Sequence, residues 1–331
     1  MKRRGQLFEE ICSFKNLVKA ARKAQRGKRF KHSVNQFNLK LEEELLAIQE
    51  ELRQKTYRVG QYKHFYVHDP KRRQISALPY RDRVAQHALC NVIEPLFDKS
   101  FIGDSYACRK GKGSHRAVNR FSRFCCVGEY VLKCDVKSYF ASIDHAALYG
   151  LIAGKVKDPH ALWLVKLIID STPDPGIPIG NLTSQLFANL YLNGLDHALK
   201  EEFKCRHYIR YMDDLAVFGD DLDRLERLKS SIAGYLAGQK LKLHPDKSKI
   251  YETGRGVEFL GYKIYPSHRL IIWPNAARFK KRLRRLARMF QRRAITIEKI
   301  TCSVQSWLGY AKHANSYNDR RRLFAGVKIT G

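Results

Sequence analysis

The spacing of apolar positions divides the chain into short elements. Leu41, Leu45, Ile48 and Leu52 recur at helical spacing with Glu and Lys between them, and residues 1–60 read as helical. The period then changes. Phe65-Tyr66-Val67 and Ile75-Ser76-Ala77-Leu78 flank Asp69-Pro70-Lys71-Arg72-Arg73, predicting a hairpin whose turn is loaded with cations. Val84, Leu89, Val92 and Ile93 predict a helix over 83–97. Val131-Leu132-Lys133-Cys134-Asp135-Val136 reads as a buried strand ending in an acid, followed by Lys137-Ser138-Tyr139-Phe140 and a helix through 148. A helix near 161–169 stops at the loop Pro173-Asp174-Pro175-Gly176. Another runs from the segment 177–185 to about 202 on Leu186, Leu190 and Leu195, with Asn181 or Thr183 as its cap. Two β-leaning runs, 208–211 and 215–218, enclose a polar pair and predict a second hairpin. A helix over 223–238, a strand near 241–243 and the run Phe259-Leu260-Gly261-Tyr262-Lys263-Ile264 follow, and a boundary is expected between Pro266 and Pro274. Beyond it, Phe279, Leu283, Leu286 and Phe290 form one apolar stripe, and a last helix near 303–313 carries Trp307 and Tyr310.

Charge changes this picture more than length does. The chain has 331 residues, 44% of them hydrophobic, enough for two or three subdomains with real cores. Lys and Arg outnumber Asp and Glu by 62 to 32, a net charge of +30. Such a chain repels itself and seeks a polyanion, nucleic acid being the default. An anionic membrane surface is the rival, but no apolar run approaches the length of a span, and the basic N-terminus lacks the apolar stretch of a secretory signal. The eight cysteines form no Cys-x-x-Cys pair, and a reduced, cytoplasmic compartment is expected. The cations cluster. Lys28-Arg29-Phe30-Lys31-His32 is either a phosphate contact or a solvated loop. Residues 106–116 combine Gly111 and Gly113 with Arg109, Lys110, Lys112 and Arg116, a backbone contact for nucleic acid but not a P-loop. Residues 278–293 carry nine cations around the apolar stripe, a clamp for a duplex backbone.

The candidate chemistry lies in Tyr211-Met212-Asp213-Asp214. Adjacent carboxylates at a turn can lean the same way, and such a pair repels itself unless protonated or bridged by a cation. Asp135, ending its strand, offers a third carboxylate. Two oxygen-bound cations about 4 Å apart can hold the attacking and leaving oxygens of a phosphoryl displacement.

The order of these pieces resembles a reverse transcriptase: a basic hairpin, Asp135, Gly180 with Ser184 at a helix start, Tyr-x-Asp-Asp, then Phe-Leu-Gly-Tyr. The likeness covers nearly the whole chain. It implies an α+β right-hand polymerase, with fingers over 1–130 including an N-terminal helical extension, a palm with an antiparallel sheet over 131–265 leaving room for a fingers insertion about 155–185, and a basic helical thumb over 266–331. Most members place Gln-Gly before and Ser-Pro after the central turn; here Ile179 and Gln185 stand at the Gln and Pro positions. That form is similar to the reverse transcriptases of diversity-generating retroelements, as are 75–78, 86–91, 106–109 and 178–189.

The resemblance implies roles. Asp135, Asp213 and Asp214, with the Val136 carbonyl, would bind two Mg2+ ions. Lys71, Arg72 and Arg73 would hold the dNTP triphosphate, with Phe140 as a gate beneath the sugar and Ile179, Gly180 and Gln185 around the nascent pair. Lys247 or Lys249 would protonate the leaving pyrophosphate. Tyr211, Phe259, Leu260, Gly261, Arg282 and Arg285 would contact primer and template. The partners implied are template RNA, the RNA/DNA hybrid and a small basic accessory protein, with no membrane, in a bacterial or phage-encoded system. An Ile side chain, unlike Gln, can neither donate nor accept a hydrogen bond, which loosens discrimination of mispairs. The alternatives are a retron or group II intron enzyme, or a non-catalytic RNA-binding module.

Overall fold

The computed structural model describes residues 4–68, 72–325 and 327. Four helices open the chain: α1 (Phe8–Cys12), α2 (Phe14–Ala24), α3 (His32–Leu39) and α4 (Leu41–Arg53). Ser13 starts α2 by accepting the Asn16 amide on its hydroxyl. The hairpin β1 (Lys63–His68) and β2 (Arg72–Ala77) pairs Lys63 with Ala77 and His68 with Arg72. Helix α5 (Tyr80–Asp98) follows and packs on α2, and α6 (Ser114–Cys125) leads into the central sheet.

That sheet is antiparallel, in the order β4 (Tyr208–Tyr211), β5 (Asp214–Gly219), β3 (Tyr130–Asp135), β6 (Lys249–Glu252). Its period-two alternation supplies two cores. Leu132, Cys134, Tyr208, Leu215 and Val217 face the first, shared with α5, α7 (His145–Ala153), α8 (Pro159–Ile169), α9 (Leu182–Tyr191) and α11 (Leu222–Gly238). Val131, Ile209, Ala216 and Phe218 face the second, shared with α6, the three-stranded sheet β7 (Val257–Phe259), β8 (Tyr262–Ile264), β9 (Arg269–Ile271), and helices α12 (Trp273–Gln291), α13 (Ile297–Ala311) and α14 (Tyr317–Ala325). Among the described residues, no helix is long and apolar enough to cross a membrane.

Three local expectations are corrected. The long helix expected to run to about 202 ends at Tyr191; α10 (Asn193–His197) and a π-turn (Ala198–Glu202) continue it. Asn181 occupies the cap position of α9 without capping, because its amide instead donates to Tyr62 Oη at 2.9 Å. The expected strand at 241–243 reduces to one bridge between Val136 and Leu243. The segment between Pro266 and Pro274 holds β9, which pairs with β8.

Candidate active site

Strands β4 and β5 are joined by a two-residue turn, Met212-Asp213, closed by the pairing of Tyr211 with Asp214. Met212 adopts a left-handed backbone (φ 58°), a conformation that costs a non-glycine residue about 1–2 kcal/mol. A buried ion pair holds it there. Arg210, fully buried, grips Asp196 through Nε to Oδ1 (2.7 Å) and Nη2 to Oδ2 (2.6 Å). It also donates to the Met212 carbonyl at 3.1 Å and the Asn189 side chain at 3.1 Å. Tyr208 adds a third bond to Asp196 at 2.7 Å.

The register sets Asp135 directly opposite Asp214 across β3 and β5. Directly opposed residues share a sheet face, so both carboxylates lie on the side of β7–β9 and α12. The Val136 amide donates to the Asp213 carbonyl at 3.4 Å, tying the turn to the end of β3. Burial, aided by repulsion from the other acids, raises Asp213 above its ordinary range and pushes Asp214 up to about 6. Two lysines answer that charge. Lys247 hydrogen-bonds Asp135 Oδ2. Lys133 Nζ lies 3.8 Å from Asp214 Oδ1 and donates to the Glu258 carbonyl of β7 at 2.7 Å. Among the described residues, no group of three or more His, Cys, Asp or Glu side chains is gathered closely enough to hold a metal ion. Carboxylate oxygens such as those of Asp135, Asp213 and Asp214 are the donor type that a hard divalent cation takes.

The other candidates distribute around this acid pair. Arg73 is exposed at the start of β2 and lowers Asp213 through its charge; Arg72 stacks on Tyr66 at 3.9 Å; Lys71 lies outside the described residues. Phe140 is half-buried in a 3-10 turn (Tyr139–Ser142), its carbonyl accepting the Ile177 amide. Ile179 is exposed and its carbonyl accepts the Ser76 amide of β2 at 2.9 Å. Gly180 (φ 126°) sits where a Cβ would approach the Ser76 carbonyl to 2.9 Å. Gln185, exposed on α9, faces a different recess, with Cys108, Arg109 and Asn189. Tyr211 ends β4. Phe259 is buried, while Leu260 and Gly261 form a left-handed turn whose Gly261 carbonyl accepts Tyr310 Oη at 2.5 Å. Arg282 and Arg285 are exposed on α12. Lys249, one residue into the edge strand, makes no contact with the acids comparable to that of Lys247. Sequence reasoning passed over Lys133, Arg210 and Asp196; for Lys133 and Arg210 the signal available was a cation inside a short β-leaning run, while Asp196 stands among Asn193, Gly194 and His197 and gave none.

The family model described as reverse transcriptase (RNA-dependent DNA polymerase) matches residues 63–264, more than half of the chain. Protein YkfC of Escherichia coli is 26% identical over 67% of this chain and 71% of its own length. The group II intron-encoded protein LtrA of Lactococcus lactis is 24% identical over 64% of this chain, which spans only 38% of LtrA. The retron Mx65 reverse transcriptase of Myxococcus xanthus is 29% identical over 40% of this chain and 36% of its own. A solved apo telomerase from Candida Tropicalis superposes with a TM-score of 0.52 at 13% identity, covering 67% of this chain and 50% of that one, a likeness of fold. The antiparallel sheet bearing opposed acids, the helical layers on both its faces and the extent of the family match lead to one conclusion: the fold is the α+β right-hand polymerase type, and the chain belongs to the reverse transcriptase family as an RNA-directed DNA polymerase.

Proposed function

We propose that this polymerase serves a diversity-generating retroelement, copying a template-repeat RNA into error-prone cDNA. The observation that carries the reading is Ile179-Gly180 with Ser184-Gln185, where most relatives have Gln-Gly and Ser-Pro. The Ser76–Ile179 backbone bond fixes Ile179 beside β2, so an apolar side chain replaces an amide at a position next to the basic hairpin. Loss of that hydrogen-bonding group weakens the penalty for a mispair. In this reading 1–130 are fingers, 131–265 palm and 266–331 thumb. The enzyme works in a bacterial or phage-infected cytoplasm with a small basic accessory protein.

Asp135, Asp213, Asp214 and the Val136 carbonyl would hold two Mg2+ ions, which when bound acidify the primer 3′-hydroxyl and stabilise the leaving oxygen. Arg73 binds the triphosphate and Lys247, displaced from Asp135, donates a proton to the departing pyrophosphate. Phe140 excludes a ribose 2′-hydroxyl by contact. Phe259, Leu260 and Gly261 hold the primer end, with Tyr211 beneath it.

The test is primer extension by purified protein on a primed RNA with Mg2+, followed by sequencing of the cDNA. Errors concentrated opposite template adenine, reduced by Ile179→Gln, are the expected result. DNA made with uniformly low error, or an unchanged error rate in Ile179→Gln, removes the retroelement reading and favours the retron or group II intron class, to which the similarity with LtrA and Mx65 points. No DNA at all would remove the assigned catalytic roles.

A further inference from the structure

The face of α2 turned away from the core is a continuous row of cations. Lys15, Lys19 and Arg22 recur at i, i+4 and i+7 on α2, with Lys23 beside them, and Arg26 follows in the turn just past its end. At 1.5 Å per residue the helical part of the row, from Lys15 to Arg22, is about 10 Å long. It lines an open groove of about 490 Å³. The opposite face of α2 is spent: Leu17, Ala20, Ala21 and Ala24 are buried against α5 and its neighbours. The row continues past the helix. Lys28, exposed Arg29 and exposed Lys31 follow in the next turn.

At that end the positive charge is crowded. His87 of α5 lies among Lys23, Lys28 and Arg83, and burial together with those three cations drives its pKa down to about 4. Lys28 is lowered too, by burial and then by Arg83 and Lys31. Lys23 donates to Asn91 Oδ1 at 2.5 Å, and Arg83 to the Leu78 carbonyl at 2.9 Å, so both are held by neutral partners. Glu94 is the carboxylate whose charge reaches Lys23, and it is itself half-buried and raised. Cations held against one another on a fixed frame, with so little acid among them, suit a ligand carrying regularly spaced negative charge.

We propose that the outer face of α2, with the 28–31 turn and Arg83, binds the phosphate backbone of a folded RNA as a second anchoring track, apart from the acid pair on the central sheet. The assignment rests on the RNA-directed polymerase family and is independent of the retroelement reading. RNA is favoured over an anionic bilayer because Leu17, Ala20, Ala21 and Ala24 of α2 are buried, and the exposed rings beside the row, Phe14 and Phe30, stand singly rather than as a continuous apolar face. It is favoured over an acidic protein because the cations are evenly spaced along a rod, as phosphates are.

The test compares the full chain with a K15Q/K19Q/R22Q/R26Q variant. Binding is measured against salt for a long folded RNA and for a short primer–RNA hybrid, with thermal melting as a check on folding. For the folded RNA the variant is expected to lose at least tenfold in affinity at about 0.1 M salt, and its log K against log salt slope to flatten by about three to four. For the short hybrid, affinity and extension rate stay within twofold. A Lys→Arg counterpart (K15R/K19R) keeps wild-type binding. Unchanged affinity and slope on the folded RNA overturn the proposal. So does an equal loss on the short hybrid, which would place the row in the polymerase cleft. Wild-type RNA binding with lost affinity for anionic phosphatidylserine vesicles would assign the face to lipid instead.

Discussion

The residues closest to the chemistry are governed by charge that the fold leaves uncompensated. Replacing Asp135 or Asp214 with Asn keeps size and shape but removes an anionic oxygen donor. Extension is expected to fall by about a thousandfold or more, the scale of several kcal/mol of charge stabilisation, with melting temperature held or raised because a buried repulsion is relieved. Lys133 bridges Asp214 and the Glu258 carbonyl, joining the acid-bearing sheet to β7. Lys133→Met is expected to slow extension by about tenfold, one charge-assisted hydrogen bond, with Lys133→Arg recovering part of it; a rate equal to wild type would deny the bridge a role. His87 offers a pH readout away from the acids. Its folded pKa of about 4 lies below the ordinary 6.5, so the unfolded chain binds more protons between those values, and stability falls as pH drops through that window. His87→Gln is expected to flatten the acid limb of melting temperature against pH. The carboxylates were legible because two adjacent acids between apolar runs are a costly pattern. Lys133 was not, since a lysine in a strand reads as an outward-facing residue until the neighbouring sheet is placed over it.

Among the elements, the hairpin of β4 and β5 was legible from its alternation, and its support was not. The Met212-Asp213 turn depends on Arg210, which a strand pattern places on the face opposite the acids, and on Asp196, fourteen positions earlier in a segment read as one helix. That helix breaks at Leu192, and the break into α10 is what brings Asp196 under the sheet; a pattern of Leu186, Leu190 and Leu195 is blind to it. Arg210→Met alone strands a buried carboxylate and is expected to cost about 3–5 kcal/mol. Arg210→Met with Asp196→Leu removes both charges, so much of that stability should return. The anchor on the Met212 carbonyl does not return. The double variant is therefore expected to melt near wild type while remaining slow in extension; recovery of both together would show that the pair serves stability only. Gly180 is a simpler case: Ala there meets the Ser76 carbonyl with a positive φ, and a shift of β2 against the 177–180 loop should lower activity more than melting temperature.

For the whole molecule, one sheet shared by two cores explains why the chain order was readable while the packing was not. Leu132 and Val131 are both apolar neighbours in sequence, yet each belongs to a different core. A strand buried on both faces shows no alternation that would say which side holds the helices of residues 273–325. The net charge of +30 was visible at once, and its consequence is a sign change with salt. Free protein carries unscreened self-repulsion, so added salt should raise its melting temperature. Protein bound to a primer–RNA hybrid gains stability in proportion to the logarithm of ligand over Kd, and salt weakens that affinity steeply, so the same salt should lower its melting temperature. The two curves are expected to converge as salt rises. Arg282→Gln with Arg285→Gln, both exposed on α12, should flatten the bound curve, with the log K slope reduced by about one for each phosphate no longer neutralised, while leaving the free curve nearly unmoved. Parallel rising curves for free and bound protein would mean that hybrid binding does not draw on this charge.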